Sequence, residues 1–427
     1  MHLFKSRAVF LTVIYFSLFS SLHAQNIETY VKNNLTPINS IDPKTNDYRE
    51  LEKLGEAIGD SKIVMLGEQD HGDAPAFLAK TKIIKYLREK KGFNVIAFES
   101  DFYGLTKGWE EVPKKPDSIY QFLKANIYPL WTKSDAFEYL LKEYIPESYQ
   151  TPKPLQLAGF DNQLILDYSY FHLVKNLDGY LKQQGWHNTL FSGKEYQDFL
   201  ESVRALIAKA REKIDFSKDM HKTLKNGLAR ISDEQKKIDG KSYWALVIQN
   251  LISYNLNSNE IRDKAMADNL RFLVTQKYKD EKIIVWAANS HIMKYTDLLN
   301  SDKKDFGQVI WKNMGTDFTN DPSLSQTTYV LGFTSKEGTA GRLGTSPFPI
   351  QSPHKKGLEN WIPDNLNYCF IDFEDYNAKF NNPNSPFLMK GPMHFTVPKK
   401  VVKIPWNKVY DGIFYIKTMY PTKRVSE

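Results

Sequence analysis

Cysteine is almost absent from this sequence: Cys369 is the only one among 427 residues. A single thiol cannot form an intramolecular disulfide, so the fold must be held together by its apolar core. Cys369 lies in the apolar stretch NYCFIDF, which predicts a buried strand residue. A thiol enzyme is therefore excluded unless this one strand residue serves as the nucleophile.

Several catalytic motifs are missing as well. No G-x-S-x-G nucleophile elbow occurs, and the nearest stretch, GTSPF at 344–348, lacks the final glycine. The phosphate-binding P-loop, the G-x-G-x-x-G fingerprint and the H-E-x-x-H zinc motif are also absent. The lysines are scattered and form no basic stripe interleaved with aromatics, so nucleic acid is not an expected partner.

Long apolar runs are absent except at the N-terminus. Lys5 and Arg7 precede an apolar run at 8–19, and small residues up to Ala24 follow it. This pattern predicts a signal peptide at 1–24, although an uncleaved anchoring helix is the alternative. We expect an exported protein, periplasmic or secreted, that is monomeric and has no membrane span after cleavage. Loss of the two basic residues lowers the formal net charge from +7 to +5, which is mild.

The remaining chain has ordinary globular composition, with 41% hydrophobic and 25% charged residues, and we predict one domain over 25–427. Apolar runs without alternation are typical of parallel strands buried on both faces. Such strands are predicted at 62–66, 94–100, 155–160, 282–289, 328–334 and 410–418, and helices at 47–60, 74–90 and 134–144. The fold class is therefore α/β, with a mainly parallel central sheet flanked by helices.

Residues 168–278 have a charged, helix-favouring sequence without a convincing strand, which predicts a long helical insertion. Its first part, DYSYFHLVKNLDGYLKQQGWHN, is rich in aromatic residues. In the fold that we expect, the insertion lies over the active-site cleft. A helical layer packed on the sheet is the alternative.

Polar residues collect directly after the predicted strands. They are Glu68, Asp70 and His71 after the first strand, Glu99 and Asp101 at the second, Asp161 after the third, and Ser290 and His291 after the fourth. Parallel strands bring such residues to one edge of the sheet, where ligands bind. Any one of them alone would more often be structural, for example a helix cap. Their convergence predicts a functional site, because unpartnered buried charges are costly.

With the familiar nucleophile motifs absent, histidine and glutamate acting on water remain. Glu68 can hold one ring nitrogen of His71, so that the other nitrogen removes a proton from an attacking water. His291 could protonate a departing alkoxide or bind the oxyanion. This chemistry suits an ester or a lactone better than an amide, because the leaving group is easier to expel.

Several stretches resemble the erythromycin esterase family. They are LGEQDHG, LAKTKIIKYL, GFNVIAFESDFYG, LAGFDNQ, IRDKAMADNLRFL and IIVWAANSHI, which together span most of 63–333. The resemblance implies that a histidine-activated water opens the lactone ring of a macrolide and so inactivates the antibiotic. It implies no covalent intermediate, no obligatory metal and no cofactor. The expected partner is a small molecule, a macrolide or another hydrophobic ester.

The resemblance also assigns roles by matching position. His71 would be the general base and Glu68 its support, while Glu99 and His291 fall on the family's second acidic and second histidine positions. Lys80 falls where the family has a basic residue, commonly arginine. The substrate-binding residues expected from the resemblance and from the strand ends are Lys80, Asp101, Asp161 and Arg262.

Three departures from the family pattern bear on the substrate. Asp73 stands where a small hydroxyl residue is usual, and Ala288 replaces a frequent histidine. Lys80 cannot form the bidentate hydrogen bonds of an arginine. These differences concern substrate identity more than reaction type. A pocket with several acidic groups would suit a cationic amino sugar.

Two other functions remain compatible with the sequence. One is a metal-dependent hydrolase or protease, because the polar set contains only metal-ligand residue types: Glu68, His71, Glu99, Asp161 and His291. The other is a secreted protein that binds haem or another hydrophobic ligand. The aromatic-rich insertion would then contact the ligand, and the histidines would be axial ligands.

Overall fold

The computed structural model describes residues 26–296, 298, 311–381, 383–394 and 402–425. The signal peptide predicted at 1–24 lies outside this range. Within it, no helix is both long enough and apolar enough to cross a bilayer.

One large sheet forms the centre of the protein. The strands of the described chain are β1 (Thr36–Ile38), β2 (Ile63–Leu66), β3 (Val95–Asp101), β4 (Gln156–Asp161), β5 (Ile283–Trp286), β6 (Thr328–Ala340), β7 (Phe348–Pro349), β8 (Tyr368–Asp372), β9 (Phe387–Met389), β10 (Val402–Ile404) and β11 (Gly412–Met419). The main sheet has the order β1-β8-β11-β6-β2-β5-β3-β4, with β7 paired to β6, while β9 and β10 form a separate pair.

Helices connect and cover these strands. They are α1 (Ile27–Asn33), α2 (Glu52–Ile58), α3 (Ala74–Lys91), α4 (Phe102–Glu111), α5 (Pro116–Asn126), α6 (Pro129–Thr132), α7 (Asp135–Glu138), α8 (Ile145–Ser148), α9 (Asp167–Gln183), α10 (Trp186–Thr189), α11 (Gly193–Glu212), α12 (Lys218–Asp239), α13 (Tyr243–Leu256), α14 (Asn259–Phe272), α15 (Asn289–Ile292), α16 (Met314–Thr319), α17 (Pro322–Ser325), α18 (Phe373–Lys379) and α19 (Trp406–Val409). Short 3-10 turns occur at Arg49–Leu51 and Leu358–Asn360, and π-helical turns at Tyr139–Tyr144 and Leu273–Lys277.

The six strands from β4 to β11 in the sheet order run parallel, which confirms the predicted α/β class with a mainly parallel sheet. Two predicted strands end three or more residues away from the observed ends. β5 ends at Trp286 because the chain turns into α15, and β6 continues to Ala340. The sequence analysis did not identify β1, and β8 pairs antiparallel with β11, with Cys369 buried in it as expected.

The four strands that precede the predicted site residues are neighbours in the sheet. Their order there is β2-β5-β3-β4, although β5 follows β4 by more than 100 residues in the chain. Since all four are parallel, their carboxyl ends meet at one edge. The crossover of β5 between β2 and β3 therefore places the fourth strand's polar residues in the middle of the site.

The core has two parts, one on each face of the sheet, because successive strand side chains point to opposite faces. On β2, Met65 packs in one cluster, whereas Val64 and Leu66 pack in the other. Helix α3 covers the second face through Phe77 and Ile84. It begins with a proline in its first turn and ends at Gly92, whose φ of 78° provides the left-handed C-cap.

The insertion is helical from α9 to the π turn that follows α14, and no strand occurs between residues 167 and 277. Its apolar residues, such as Leu173, Leu177 and Leu206, join the cluster on the first face of the sheet. The insertion thus packs on the sheet as a helical layer. Its last helix, α14, reaches the polar edge.

Candidate active site

The turn from β2 to α3 begins with a glycine that has no room for a side chain. A Cβ at Gly67 would lie 1.9 Å from Asn289 Oδ1. Asn289 Nδ2 donates to Phe333 O at 2.7 Å, and its Oδ1 accepts from Phe333 N at 3.0 Å. Its backbone N–H donates to Glu68 O at 2.8 Å. Gly67 is therefore required by this close approach, which joins the ends of β2, β5 and β6.

Glu68, which is buried, pairs with the partly exposed His71. His71 Nδ1 lies 2.9 Å from Glu68 Oε1, and since an ionised carboxylate can only accept, Nδ1 carries the proton. Trp131 Nε1 donates to the same oxygen at 3.1 Å, and its ring contacts the His71 ring edge-on at 5.3 Å. The His71 side chain is 16% exposed, and its Nε2 has no hydrogen-bond partner among the described residues. Within the described residues, His71 Nε2 thus keeps a lone pair that can accept a proton.

Lys80 lies on the inner side of Glu68. Its Nζ donates to Glu68 Oε2 at 2.5 Å and to Ala287 O at 3.3 Å, and it lies 3.8 Å from the centre of the Trp286 ring. Burial lowers the pKa of Lys80 to about 8, although the charge of Glu68 opposes this change. Lys80 therefore donates to Glu68 from the inner side of the site and is itself out of contact with solvent.

A second ion cluster joins β3, β4 and the insertion. Arg262 on α14 donates through Nε and a terminal nitrogen to the two oxygens of Asp161, at 3.0 and 2.7 Å, and reaches Glu99 Oε1 at 3.0 Å. Tyr128 Oη donates to Asp161 at 3.0 Å. Burial alone would raise the pKa of Glu99, but the positive charges of His291 and Arg262 lower it to about 2. Glu99 is therefore ionised at every physiological pH.

His291 lies between two carboxylates. Its Nδ1 is 2.7 Å from Asp263 Oδ1 and its Nε2 is 3.3 Å from Glu99 Oε1. Burial alone would lower the pKa of His291, but Glu99 and Asp263 raise it to about 9. Asp263 is fixed in turn by Trp311 Nε1 at 2.5 Å and by the backbone N–H of Met314 at 3.1 Å. His291 is therefore an imidazolium at neutral pH, unlike a general base.

The pKa values of this cluster predict how stability depends on pH. The raised pKa of His291 contributes stability that is fully present below pH 6.5 and is lost as the pH rises through about 9. The lowered pKa of Glu99 contributes stability that is present above pH 4.5 and is lost as the pH falls through about 2. Asp263→Asn removes one carboxylate from His291 and lowers its pKa in the folded protein, so we expect the alkaline loss of unfolding free energy to be smaller and to be complete about one pH unit lower.

The measurement is chemical unfolding between pH 6 and pH 10. Asp268→Asn on the same helix is the matched control, because its pairs with Lys264 and Arg271 are on the surface and contribute little. Identical pH profiles for wild type and Asp263→Asn would show that Asp263 does not set the charge of His291.

Seven of the eight predicted site residues lie in the two clusters: Glu68, His71, Lys80, Glu99, Asp161, Arg262 and His291. Asp101 does not. Its oxygens accept from Gly104 N, Ser169 Oγ and Leu166 N at 2.7 to 3.0 Å, so it caps α4 and ties the start of the insertion to the sheet. The expectation that it binds substrate is corrected to this capping role.

Two further expectations need correction for the same physical reason. The side chains of Lys80 and Asp161 have no exposed surface, and their polar atoms are already paired. Direct contact with substrate does not fit this burial, whereas support of Glu68 and Arg262 does. Arg262, 22% exposed, is the expected substrate-binding residue that still reaches the surface of the cleft.

Some residues of the site were not identified by the sequence analysis. Trp131 comes from the short helix α6, Asp263 from the residue after Arg262, and Asn289 from the start of α15. The backbone N–H of Ala288 donates to Glu99 Oε2 at 3.1 Å. Asp263 and Asn289 lie inside quoted motifs, so attention to the neighbours of Arg262 and His291 could have found them. Trp131 lies far from any motif and could not have been found in this way.

Metal binding is not favoured by the geometry. Among the described residues, no three histidine, cysteine or carboxylate side chains are grouped so that they could hold a metal ion. The carboxylates are instead paired with Lys80 and Arg262, whose positive charges would repel a metal cation. The ligand types recognised in the sequence are therefore used for ion pairs and for histidine orientation.

An α/β sheet that gathers histidines and carboxylates at one edge has the architecture of an enzyme, and comparison with known proteins supports a hydrolase. The chain belongs to the erythromycin esterase family, whose sequence profile matches residues 88–418. The matched range includes Glu99, Asp161, Arg262 and His291 but begins after Glu68, His71 and Lys80.

Individual relatives extend the match over nearly the whole chain. "Putative hydrolase YbfO" of Bacillus subtilis (strain 168) is 26% identical over 447 aligned positions, which cover 95% of each chain. The type II erythromycin esterase of Escherichia coli is 22% identical and covers 91% of this chain and 97% of its own. The hydrolytic class is thus shared, while the substrate is not determined by identities at this level.

Solved structures share the fold. An erythromycin esterase, EreC, carrying a histidine-to-asparagine substitution and in an open conformation, superimposes with a TM-score of 0.65 at 17% identity, covering 92% of this chain and 99% of its own. A structure titled as a succinoglycan biosynthesis protein gives a TM-score of 0.64 at 18% identity, covering 94% and 98%. Proteins with different names therefore share this architecture, so the substrate must be inferred from the residues of the site.

Proposed function

We propose that this protein hydrolyses carboxylic esters with a water molecule activated by His71, and that macrolide lactones are the first substrate class to test. The observation that carries the proposal is the orientation of His71. Its Nδ1 is held by Glu68 at 2.9 Å, while Nε2 has no partner among the described residues and the ring is partly exposed at the carboxyl edge of the sheet.

The first step follows from this geometry. His71 Nε2 takes a proton from water as the water oxygen attacks the ester carbonyl carbon, and Glu68 stabilises the imidazolium that forms. Lys80 and Trp131 hold Glu68 in place through hydrogen bonds to its two oxygens. No covalent bond to the protein forms, which agrees with the absence of a serine elbow in the sequence.

The second cluster contains two cations, Arg262 and the His291 imidazolium. In the proposed mechanism they stabilise the oxyanion that develops on the carbonyl during the attack. The tetrahedral intermediate then collapses, the proton carried by His71 passes to the departing alkoxide oxygen, and the products are a carboxylate and an alcohol. For a lactone both groups remain in one molecule, so the product gains the mass of one water.

The charge balance does not favour recognition of an amine by free carboxylates. Glu68 is neutralised by Lys80, and Glu99 and Asp161 share Arg262. These carboxylate oxygens already accept hydrogen bonds from cationic side chains, so they are not available to a cationic amino sugar. We therefore expect macrolides with and without the amine to be hydrolysed at similar rates, so that ring and ester contacts decide the substrate.

The test is incubation of the mature protein with a panel of macrolides, smaller lactones and simple esters, followed by mass spectrometry for the addition of one water. Macrolide products support the full proposal. Products from other esters alone restrict it to ester hydrolysis, and no product from any ester contradicts it. Activity that is lost on chelation and restored by a metal would favour the metal-dependent alternative instead. Export from the cytoplasm, suggested by residues 1–24, remains a prediction that N-terminal sequencing of the mature protein can check.

A further inference from the structure

The turn that carries His71 is hydrogen-bonded on both sides to residues from the last third of the chain. His71 lies between Asp70 and Asp73, and both of these carboxylates are buried. Their partners are Arg342 and His394. The sequence offers no explanation for two buried acids beside the proposed base.

Asp73 has the more complete set of contacts. Its Oδ2 accepts from the backbone N–H of Asp70 at 3.0 Å, which closes the turn around His71. His394 Nε2 lies 3.1 and 3.0 Å from the two oxygens of Asp73. Neither side chain has exposed surface, so water cannot replace this hydrogen bond if it is lost.

Neighbouring contacts fasten the same segment to the turn. Gln69 Nε2 donates to Gly391 O at 3.0 Å, and Ser335 Oγ donates to Gln69 Oε1 at 2.9 Å. His394 Nδ1 is buried and has no partner among the described residues. Among the described residues the ring therefore bonds through Nε2, as a donor to Asp73.

On the other side, Arg342 Nε donates to Asp70 Oδ1 at 2.6 Å. The backbone there is packed closely, because a Cβ at Gly72 would lie 2.1 Å from Gly341 O. Arg342 is 48% exposed, whereas His394 is fully buried, so the histidine is the stronger constraint on the turn.

We propose that His394 is a positioning residue, which acts through Asp73 to hold the 70–73 turn in the shape that keeps His71 on Glu68. This inference rests on the proposed function insofar as His71 is the base. His394 is 321 residues away from Asp73 in the chain, so the reactive geometry is complete only when the C-terminal part of the chain has docked on the turn. A small displacement of a catalytic group is enough to cost a large part of the rate.

The experiment compares wild type with His394→Ala, His394→Gln and His221→Ala. The glutamine amide can donate to Asp73 from about the same place as His394 Nε2, and His221 is an exposed residue of α12 that serves as the control. Hydrogen–deuterium exchange is measured for peptides that cover residues 66–77, together with kcat and KM for an ester that wild type hydrolyses.

For His394→Ala we expect exchange in the 66–77 peptides to rise about tenfold and kcat to fall about tenfold, with KM and exchange elsewhere unchanged. His394→Gln should restore both, and His221→Ala should match wild type. Unchanged exchange at 66–77 in His394→Ala would overturn the proposal. Exchange that rises over the whole chain would also overturn it, because His394 would then serve overall stability alone. If wild type hydrolyses no ester, the proposed function fails, and the exchange data still decide whether His394 holds the turn.

Discussion

His71→Asn is expected to lower kcat for ester hydrolysis by about 10³-fold, which is within the usual contribution of a general base. The asparagine side chain can still hydrogen-bond to Glu68 near the position of Nδ1, but it has no basic nitrogen at the position of Nε2. Water then attacks without proton removal by the protein. KM should change little, since the lost interaction exists only in the transition state.

The measurement is steady-state hydrolysis together with thermal unfolding. His71 is partly exposed, so its replacement should leave the unfolding temperature close to that of wild type. His221→Asn, in the exposed part of α12, is the matched control and should keep full activity. Equal turnover by His71→Asn and wild type would remove His71 from the mechanism.

Lys80→Met is expected to have the largest effect on stability. Lys80 and Glu68 are both fully buried, and removal of the ammonium leaves the Glu68 carboxylate without its cation. Loss of one partner from a buried ion pair typically costs about 3–5 kcal/mol in the free energy of unfolding. Protonation of Glu68 would limit the cost but would also weaken its hold on His71, so hydrolysis should fall with stability.

The double variant Glu68→Gln with Lys80→Met separates the two effects. With both charges removed, no unpaired ion remains in the core, so we expect most of the lost stability to return. Activity should stay low, because a neutral amide cannot stabilise the imidazolium of His71. Lys91→Met, near the end of the same helix, should change stability by less than about 1 kcal/mol. A double variant as unstable as Lys80→Met alone would show that the cost comes from packing rather than charge.

The local features of the sequence were sufficient for much of the fold. Apolar runs bounded by glycine and charge predicted the parallel strands, because a strand buried on both faces has no room for polar residues. The helix predicted at 74–90 ends within one residue of the observed end of α3, where Gly92 provides the left-handed cap. The short strand β1 was missed because three residues carry too little pattern.

For the site, the residues at the strand ends were found because their chemistry conflicts with the apolar run before them. Their partners were harder to find. Trp131 and His394 reach the site from a short helix and a loop far along the chain, and nothing in their local sequence marks a contact across the fold.

The sequence by itself determined the α/β class, the parallel strands and the set of ionisable residues at the strand ends, because these depend on local periodicity and composition. Only the tertiary structure decided which of those residues are charged, which are exposed to solvent and which already have hydrogen-bond partners. It placed Lys80 behind Glu68, gave His291 two carboxylates, assigned Asp101 to a helix cap and left His71 Nε2 without a partner in the described chain. The reason is that burial and the distance to an opposite charge set the protonation and availability of a side chain, and both arise only when β5 lies between β2 and β3 and the C-terminal segment packs on the turn.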